Sequence, residues 1–287
     1  MNELKAMKSI VLVQRGMPKS SGIAALVFLA VLTVAQGGST VRMTAFEREL
    51  RQGVNAFRHG SGHWSADSLR NAATSFRRAT AREPDNPTAH YWLGATLFHL
   101  LLHEAGAAES DRGTKSIERL AERAVEALER ALELNPEDSE SHVLLATLLG
   151  MRVAEHPFTA VWRGPRIVHH RNRALELEPE NPRAHYLAGT CYFHAPDMVG
   201  GVKKGLKHFL KAEQLYEREA RSEPGDFQPQ WGYSHCLAFI GRSYQALGES
   251  DNARAYFRKA LARNPHNRLA REELAALQKP EGAGVQR

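Results

Sequence analysis

Two histidines, His99 and His103, are the residues whose types and spacing first suggest chemistry. They stand four residues apart, and Glu104 follows the second. On a helix this spacing places both imidazoles on one face, where they can chelate zinc. No further protein ligand is identifiable, and HLLLHE lacks the glutamate placement of an HExxH site. We therefore interpret the pair as part of a polar rim and predict neither a metal site nor any other cofactor.

Three further histidines recur in similar contexts, AHYW, SHVL and AHYL: His90, His142 and His185. If these stretches are equivalent helices of neighbouring repeats, each histidine lies about 10 Å from the next, the usual distance between packed helices. That separation is too large for one ion to be shared among them. We interpret them as half-buried side chains that pack within each repeat.

Motifs for catalysis are absent from the sequence. It contains no glycine-rich phosphate loop, no Gly-x-Ser-x-Gly elbow, no zinc knuckle, and no nucleophile with a base at motif spacing. We expect the protein not to be an enzyme. Catalysis by the inserted segments described below is kept as an alternative, because spatially assembled sites leave no local pattern.

The elements that position these residues are clearest between Leu237 and Pro265. Small and apolar residues occur there at fixed offsets, and a proline closes the stretch. Gly241 and Ala253 are small enough for two antiparallel helices to approach closely, and Pro265 cannot continue the second helix. This pattern resembles the tetratricopeptide repeat, with Leu for the usual Trp and Ile for the usual Leu. The matching positions are Leu237, Ile240, Gly241, Tyr244, Ala253, Phe257, Ala260 and Pro265.

Counting back from this stretch gives four more units. We predict an all-α fold, a tetratricopeptide-repeat α-solenoid of about five helical hairpins with a C-terminal capping helix that covers the last apolar face. Prolines are expected at unit ends rather than inside helices. The predicted units are 41–86, 87–138, 139–181, 182–227 and 228–267, followed by the cap at 268–278 and a disordered tail at 279–287.

Three of these units carry extra residues. The first has a turn enlarged by residues 59–64, after which Ser65 caps the second helix. The second carries 18 extra residues, which prolong its first helix and form a polar loop at 106–113. The third carries nine, including 156–158 and 161–165. We expect this last insert to be a loop beside the groove mouth, from which Trp162 closes over one end of the concave face.

The fourth unit has the turn APDMVGG, followed by an unusually long second helix that runs to about Ser222. These features are similar to exported repeat proteins associated with tripartite transporters of small organic acids. The resemblance implies an alternative function, that of a small-molecule-binding accessory component of a tripartite uptake system.

The N-terminus is typical of an export signal. Lys19 precedes an apolar run from Ile23 to Ala35, and small residues follow at cleavage-site spacing. The run is shorter than the about 20 residues of a comfortable membrane span. We predict a signal peptide at 1–37 and a periplasmic or extracellular protein. The alternative is an uncleaved segment that anchors the chain, which would be its only membrane contact.

The charge balance argues against a nucleic-acid partner. The net charge of the chain is +6. The first 37 residues carry Lys5, Lys8, Arg15 and Lys19 against Glu3, a net charge of +3. The remaining residues therefore carry a net charge of +3 as well. So weak an excess is not a nucleic-acid footprint, which needs Lys and Arg concentrated on one face.

In a solenoid of this type the first helices line a concave face. The residues predicted to face this groove are aromatic, with a few His, Arg and Gln, which suits an extended peptide or an organic ligand with an acidic end. The alternative is that several aromatics pack against the inserts and belong to the core. We expect a scaffold that binds a protein or peptide partner, or a small organic ligand. The predicted groove residues are Tyr91, Trp92, Phe98, His99, Arg152, Trp162, Tyr186, Phe193, His194, Arg242 and Gln245.

Overall fold

The computed structural model describes residues 43–105, 111–155, 159–198 and 200–277. Within these ranges the chain forms helices and no strands. Several predicted features lie wholly or partly outside the described residues: the signal peptide at 1–37, residues 41–42 of the first unit, residues 106–110 of the polar loop, residues 156–158 of the third insert, residue 278 of the cap, and the tail at 279–287.

The helices follow one another as five antiparallel hairpins, in which each odd-numbered helix pairs with the next, and α11 closes the end. The structure therefore confirms the predicted class, an all-α solenoid of hairpins with a capping helix. The described helices are α1 (Ala45–His63), α2 (Ala66–Arg82), α3 (Pro87–Ala105), α4 (Asp111–Leu134), α5 (Ser139–Glu155), α6 (Ala160–Leu177), α7 (Pro182–Phe193), α8 (Gly201–Glu219), α9 (Tyr233–Ala246), α10 (Ser250–Arg263) and α11 (Arg268–Ala276). None of them combines the length and apolar character required to cross a bilayer.

A glycine of the first helix lies against a large apolar side chain of the second in four of the hairpins. A Cβ atom on Gly53 would lie 2.5 Å from the ring of Phe76, and one on Gly241 would lie 2.6 Å from that of Phe257. Carbon atoms in favourable contact are about 3.5–4.0 Å apart, so only glycine permits this approach. The equivalent pairs are Gly94 with Leu128 and Gly189 with Phe209.

The turn of the first hairpin is shorter than predicted. α1 continues through Gly60 to His63, and the turn consists of Trp64 and Ser65 alone. Trp64 has a φ of 54°, a left-handed conformation that ends the helix. Ser65 Oγ accepts from the main-chain N–H of Ser68, as the sequence predicts. The prediction of an enlarged turn is wrong because the glycines are tolerated within a helix that is packed along its length.

The third insert also differs from prediction. α6 begins at Ala160, so residues 161–165 are helical and not a loop. Pro165 lies inside this helix, contrary to the expectation that prolines stand only at unit ends. It is close to the helix N-terminus, where losing a backbone hydrogen bond disturbs few others. Similarly, α4 begins at Asp111, so the end of the predicted polar loop is helical.

The first helices pack side by side, α1 with α3 and so on to α9 with α11, and form the inner layer. Their row curls so far that the ends meet. The ring of Trp64, after α1, lies 5.9 Å from that of His235 in α9, and the ring of His63 lies 5.2 Å from that of His266. The two ends of the row are therefore in contact on this side of the molecule.

We expect Gly241→Ala to destabilise the protein by about 1–3 kcal/mol, because the added methyl group must displace the Phe257 ring. The midpoint of thermal unfolding, followed by far-ultraviolet circular dichroism, should fall.

Gly150→Ala is the matched control. Gly150 lies within α5 with open space around its Cβ position, and alanine favours a helix by up to about 1 kcal/mol. Its midpoint should be unchanged or raised. Equal stability of the two variants would contradict the role of close approach.

Candidate partner-binding face

One long connection crosses the concave side. Residues 220–232 join α8 to α9, and we call them the strap. The strap contacts α1 and α3 of the first two hairpins although its own ends belong to the fourth and fifth. It therefore links the fourth and fifth hairpins to the first two.

The first anchor of the strap is the pair Asp226–Phe227. Arg51 Nη2 lies 2.7 Å from Asp226 Oδ2, and the same guanidinium lies 5.7 Å from the centre of the Phe227 ring. Arg58 Nη2 donates to the main-chain oxygen of Asp226 at 3.4 Å. Trp92 Nε1 donates to the main-chain oxygen of Phe227 at 3.2 Å. α1 and α3 thus hold both the side chains and the backbone of this segment.

The second anchor is Trp231, whose indole is buried. Its Nε1 donates to Tyr91 Oη at 3.2 Å, and its ring meets His99 edge to face at 5.1 Å. Tyr216 Oη donates to the main-chain oxygen of Trp231 at 3.1 Å. Gly232 follows with a φ of 100°, and a Cβ atom there would collide with Tyr216 Oη. Glycine is required where the strap turns into α9.

A buried chain of polar side chains continues from Trp231. Tyr91 Oη donates to Glu140 Oε2 at 3.3 Å, and Glu140 also accepts from Arg183 Nε. Arg183 Nη1 and Nη2 reach the two oxygens of Glu219 at 2.9 and 2.8 Å. Burial raises the pKa of Glu140, and the Arg183 guanidinium opposes that shift. The network ties the strap to α3, α5, α7 and α8, and a buried charge pair of this kind requires every partner.

The network borders a pocket of about 600 Å³ that lies where α5 and α7 begin. Strap residues 227–229 form one wall. Arg183 is the one cationic side chain among the described lining residues, against the carboxylates of Asp138, Glu140, Glu178, Glu180 and Glu219. This charge favours a cationic group and disfavours an organic acid.

Four of the predicted groove residues lie on α3 beneath or beside the strap. Tyr91, Trp92 and His99 contact it directly, and Phe98 is buried next to His99. Trp92 is fully buried, with its ring 5.7 Å from that of Phe76. These side chains present no free surface to a partner while the strap is in place.

Four other predicted residues form the contact between α7 and α9. The rings of Tyr186, Phe193 and His194 lie 6.0, 5.8 and 6.2 Å from that of Phe239. The Arg242 guanidinium lies 5.3 Å from the centre of the Phe193 ring. Here the structure favours the alternative in which the aromatics are packing residues, although the packing partner is the next hairpin and not an insert.

The last three predicted residues lie apart from the strap. Arg152 of α5 pairs with Glu122 of α4 at 3.5 Å, and Gln245 is half-buried near the end of α9. Trp162 lies on α6 with 78% of its surface exposed, so its indole is not packed over the groove. The structure brings Tyr91, Trp92 and His99 together at the strap. Arg152, Trp162 and Gln245 are not part of this group.

The recurrent histidines join one hairpin to the next. His90, His142 and His185 each place Nε2 at 2.8–3.0 Å from the main-chain oxygen of the proline six residues earlier, which stands just beyond the preceding helix. In the same position before α11, Arg271 Nη2 donates to the main-chain oxygen of Pro265 at 2.8 Å. Because Nε2 faces a carbonyl, it carries the proton, and Nδ1 is free to accept.

Two of these histidines use that Nδ1. His142 and His185 meet His170 and His208 of the second helices, with Nδ1–Nδ1 distances of 2.8 and 3.3 Å. Burial lowers the pKa of His170 and of His208 to about 4, and the neighbouring histidine contributes to each shift. Both pairs are therefore neutral at pH 7.

His99 and His103 serve separate contacts. His103 Nε2 lies 3.2 Å from the main-chain oxygen of Trp64, whereas His99 faces the strap. Burial lowers the pKa of His99 to about 3, and His235 contributes to the shift. In the part of the chain that the structure describes, no group of three or more His, Cys, Asp or Glu side chains could hold a metal ion.

Sequence reasoning missed the strap. It places the stretch PGDFQPQWG at the boundary between two units and gives it no role. Its signal is the occurrence of Phe227 and Trp231 within a polar segment with two prolines, where nothing else requires aromatic residues. Aromatic residues in such a segment indicate anchors that bury themselves against another surface.

Comparisons with known proteins agree with this architecture. Residues 57–112 and 234–277 match tetratricopeptide-repeat models, and residues 99–199 match the model described as Regulator of microtubule dynamics protein 1-3. No curated protein matches the chain.

Solved structures share the fold at low sequence identity. A thermophilic tetratricopeptide-repeat protein of Thermus thermophilus is 21% identical over 81% of this chain and 98% of its own, with a TM-score of 0.58. The HusA haemophore of Porphyromonas gingivalis is 22% identical over 71% of this chain and 96% of its own, with a TM-score of 0.56. Two stretches of the chain are therefore recognised as tetratricopeptide repeats, and its described fold is that of a tetratricopeptide-repeat solenoid.

The histidine pairs predict acid sensitivity. His170 and His208 have pKa values of about 4 in the fold against an ordinary value of 6.5, so the unfolded state binds more protons between these values. Stability should therefore be full above pH 6.5 and decrease as the pH falls towards 4. The measurement is the midpoint of thermal unfolding from pH 7.5 to about 4.5.

His170→Asn keeps a donor near His142 but cannot titrate, so the loss of stability with acid should be smaller. The matched control is His169→Asn, at an exposed neighbouring position. Parallel curves for the native chain and His170→Asn would contradict this origin of the acid sensitivity.

Proposed function

We propose that this protein is a non-catalytic scaffold that binds a peptide segment of a partner protein on its concave face. One observation carries the proposal. Two side chains of this face donate to main-chain oxygens of the strap, Arg58 to Asp226 and Trp92 to Phe227, and Tyr216 of α8 donates to that of Trp231.

Donors to main-chain oxygens hold a peptide backbone whatever its side chains. Asp226 and Phe227 form a turn in which the Gln228 N–H donates to the Gly225 oxygen, so the face has the chemistry to hold another peptide segment with such a turn. Tetratricopeptide-repeat proteins are generally scaffolds without catalytic activity, and they bind protein or peptide partners.

The small-ligand alternative has less support. A component of a tripartite uptake system for organic acids needs a cavity that stabilises a carboxylate. The pocket beside the strap is instead lined by carboxylates, with Arg183 already paired to Glu140 and Glu219. A carboxylate ligand would have to displace one of them.

To test the binding face, the chain serves as bait for the exported fraction of its cells, and a captured protein is purified and titrated by calorimetry. The double variant Arg51→Glu, Arg58→Glu should bind at least about tenfold more weakly, because both side chains contact the strap position.

The control, Arg48→Glu with Arg78→Glu, changes the charge equally at exposed positions of α1 and α2. It should bind like the native chain. If the two double variants bind equally, the concave face is not the binding site.

We also propose that the protein acts outside the cytoplasm. The proposal rests on the basic residue, apolar run and small residues of 1–37. Fractionation of cells that make the full chain, or a chain that starts at Thr44, provides the test. The full chain should occur in the exported fraction and the shortened chain in the cytosol. Equal distribution would contradict export.

A further inference from the structure

The strap already occupies the face that the proposed function gives to a partner. Trp92 Nε1–H is a single donor, and it is used by the Phe227 carbonyl. Arg51 is likewise engaged by Asp226. A partner segment and the strap cannot use these groups at the same time.

We propose that the concave face binds a partner segment in which an acidic residue is followed by an aromatic residue, and that this segment displaces Asp226–Phe227 of the strap. The inference rests on the proposed function and specifies which partner sequence the face accepts. The strap is the internal ligand that shows this preference.

The chemistry of the site selects this pair of residues. Arg51 makes an ion pair with the carboxylate of Asp226 while its guanidinium lies over the Phe227 ring. A planar guanidinium can do both, because its edge donates hydrogen bonds while its face meets an aromatic ring. Arg58 and Trp92 then fix the two main-chain oxygens of the same dipeptide. The site therefore reads two adjacent side chains and their backbone.

The contacts of the first anchor are suited to exchange. The side chains of Arg51 and Asp226 are 44% and 64% exposed, and exposed ion pairs contribute little to stability. Phe227 is only half-buried, and residues 222–226, 228 and 230 are exposed. Exchanging this anchor therefore breaks one exposed ion pair, and the aromatic ring of a partner segment takes the place that Phe227 holds beside Trp92.

The second anchor is different. Trp231 is buried and is held by Tyr91, Tyr216 and His99. In the proposed exchange Trp231 keeps its contacts, and only residues 222–229 of the strap leave the face. Because the strap is tethered, its effective concentration at the site is of the order of millimolar, so a partner segment must outcompete it.

The probe is a fluorescent peptide of residues 222–229, SEPGDFQP, titrated by anisotropy against the full chain. A release variant, Asp226→Ser with Phe227→Ser, removes the internal competitor. The matched control, Glu223→Ser with Gln230→Ser, changes two exposed strap residues and keeps the anchor. Circular dichroism establishes that each variant is folded.

We expect the peptide to bind the release variant at least about tenfold more tightly than the native chain or the control, because the site is no longer occupied. Adding Arg51→Ala to the release variant, or replacing the peptide's phenylalanine with alanine, should abolish this gain. Should the release variant not fold, Asp226→Asn removes only the ion pair, and a gain of about two- to fivefold is expected.

Three outcomes would overturn the inference: equal affinity for the release variant and the native chain, no binding to any variant, or equal binding of the alanine peptide. These results are separable from failure of the proposed function. If native and release variants capture a partner equally while Arg51→Glu with Arg58→Glu loses it, the binding face stands and displacement of the strap is wrong.

Discussion

The close approach of two helices at a residue without a side chain is the constraint on which the structure depends. Phe76, Leu128, Phe209 and Phe257 each lie over a glycine of the facing helix, and no larger residue would leave them room. One hairpin cannot bury its inner face alone, so the hairpins must stack, and their spacing follows from this contact.

The third hairpin departs from this glycine contact. It has Ala146 at the glycine position, and Arg171 three residues before Ala174, where its neighbours have Phe or Leu. Arg171 is nonetheless buried, with its guanidinium 4.2 Å from the centre of the Tyr192 ring.

The curvature of the stack creates a second problem, which the strap solves. Tyr91 and Trp92 lie on the inner side of the row, where their rings would be exposed to water if the face were open. Trp231 and Phe227 cover them. The Trp92 indole N–H donates to the Phe227 main-chain oxygen, and the Trp231 indole N–H donates to the Tyr91 hydroxyl. Because Trp231 also begins the chain of contacts through Glu140 and Arg183, the covering segment, the pocket and the inner helices form one connected unit.

The histidines have a structural explanation that their types alone did not suggest. The end of each second helix leaves carbonyl groups without helical partners, and the proline that follows adds another. An imidazole on the next first helix donates to that proline oxygen, so it joins consecutive hairpins. Such a joint works with a neutral ring, and in two hairpins Nδ1 of that ring must stay unprotonated to accept from the second histidine. This is why a column of possible metal ligands functions as a series of hydrogen-bonded joints.

The sequence by itself determined the class of fold and the hairpin pattern, because helix periodicity, small close-approach residues and terminal prolines act within about 35 residues of one another. It also placed Tyr91, Trp92 and His99 together on one helix of the inner layer. It did not reveal that the chain's own strap contacts all three. Arg51 and Asp226 are 175 positions apart, and Trp92 and Phe227 are 135 apart. Contacts of that separation leave no local pattern, since they exist only once the stack has curled. The same reason explains why Tyr186, Phe193 and Arg242 were predicted as groove residues: whether an aromatic side chain meets a partner or the next hairpin is decided by the tertiary packing.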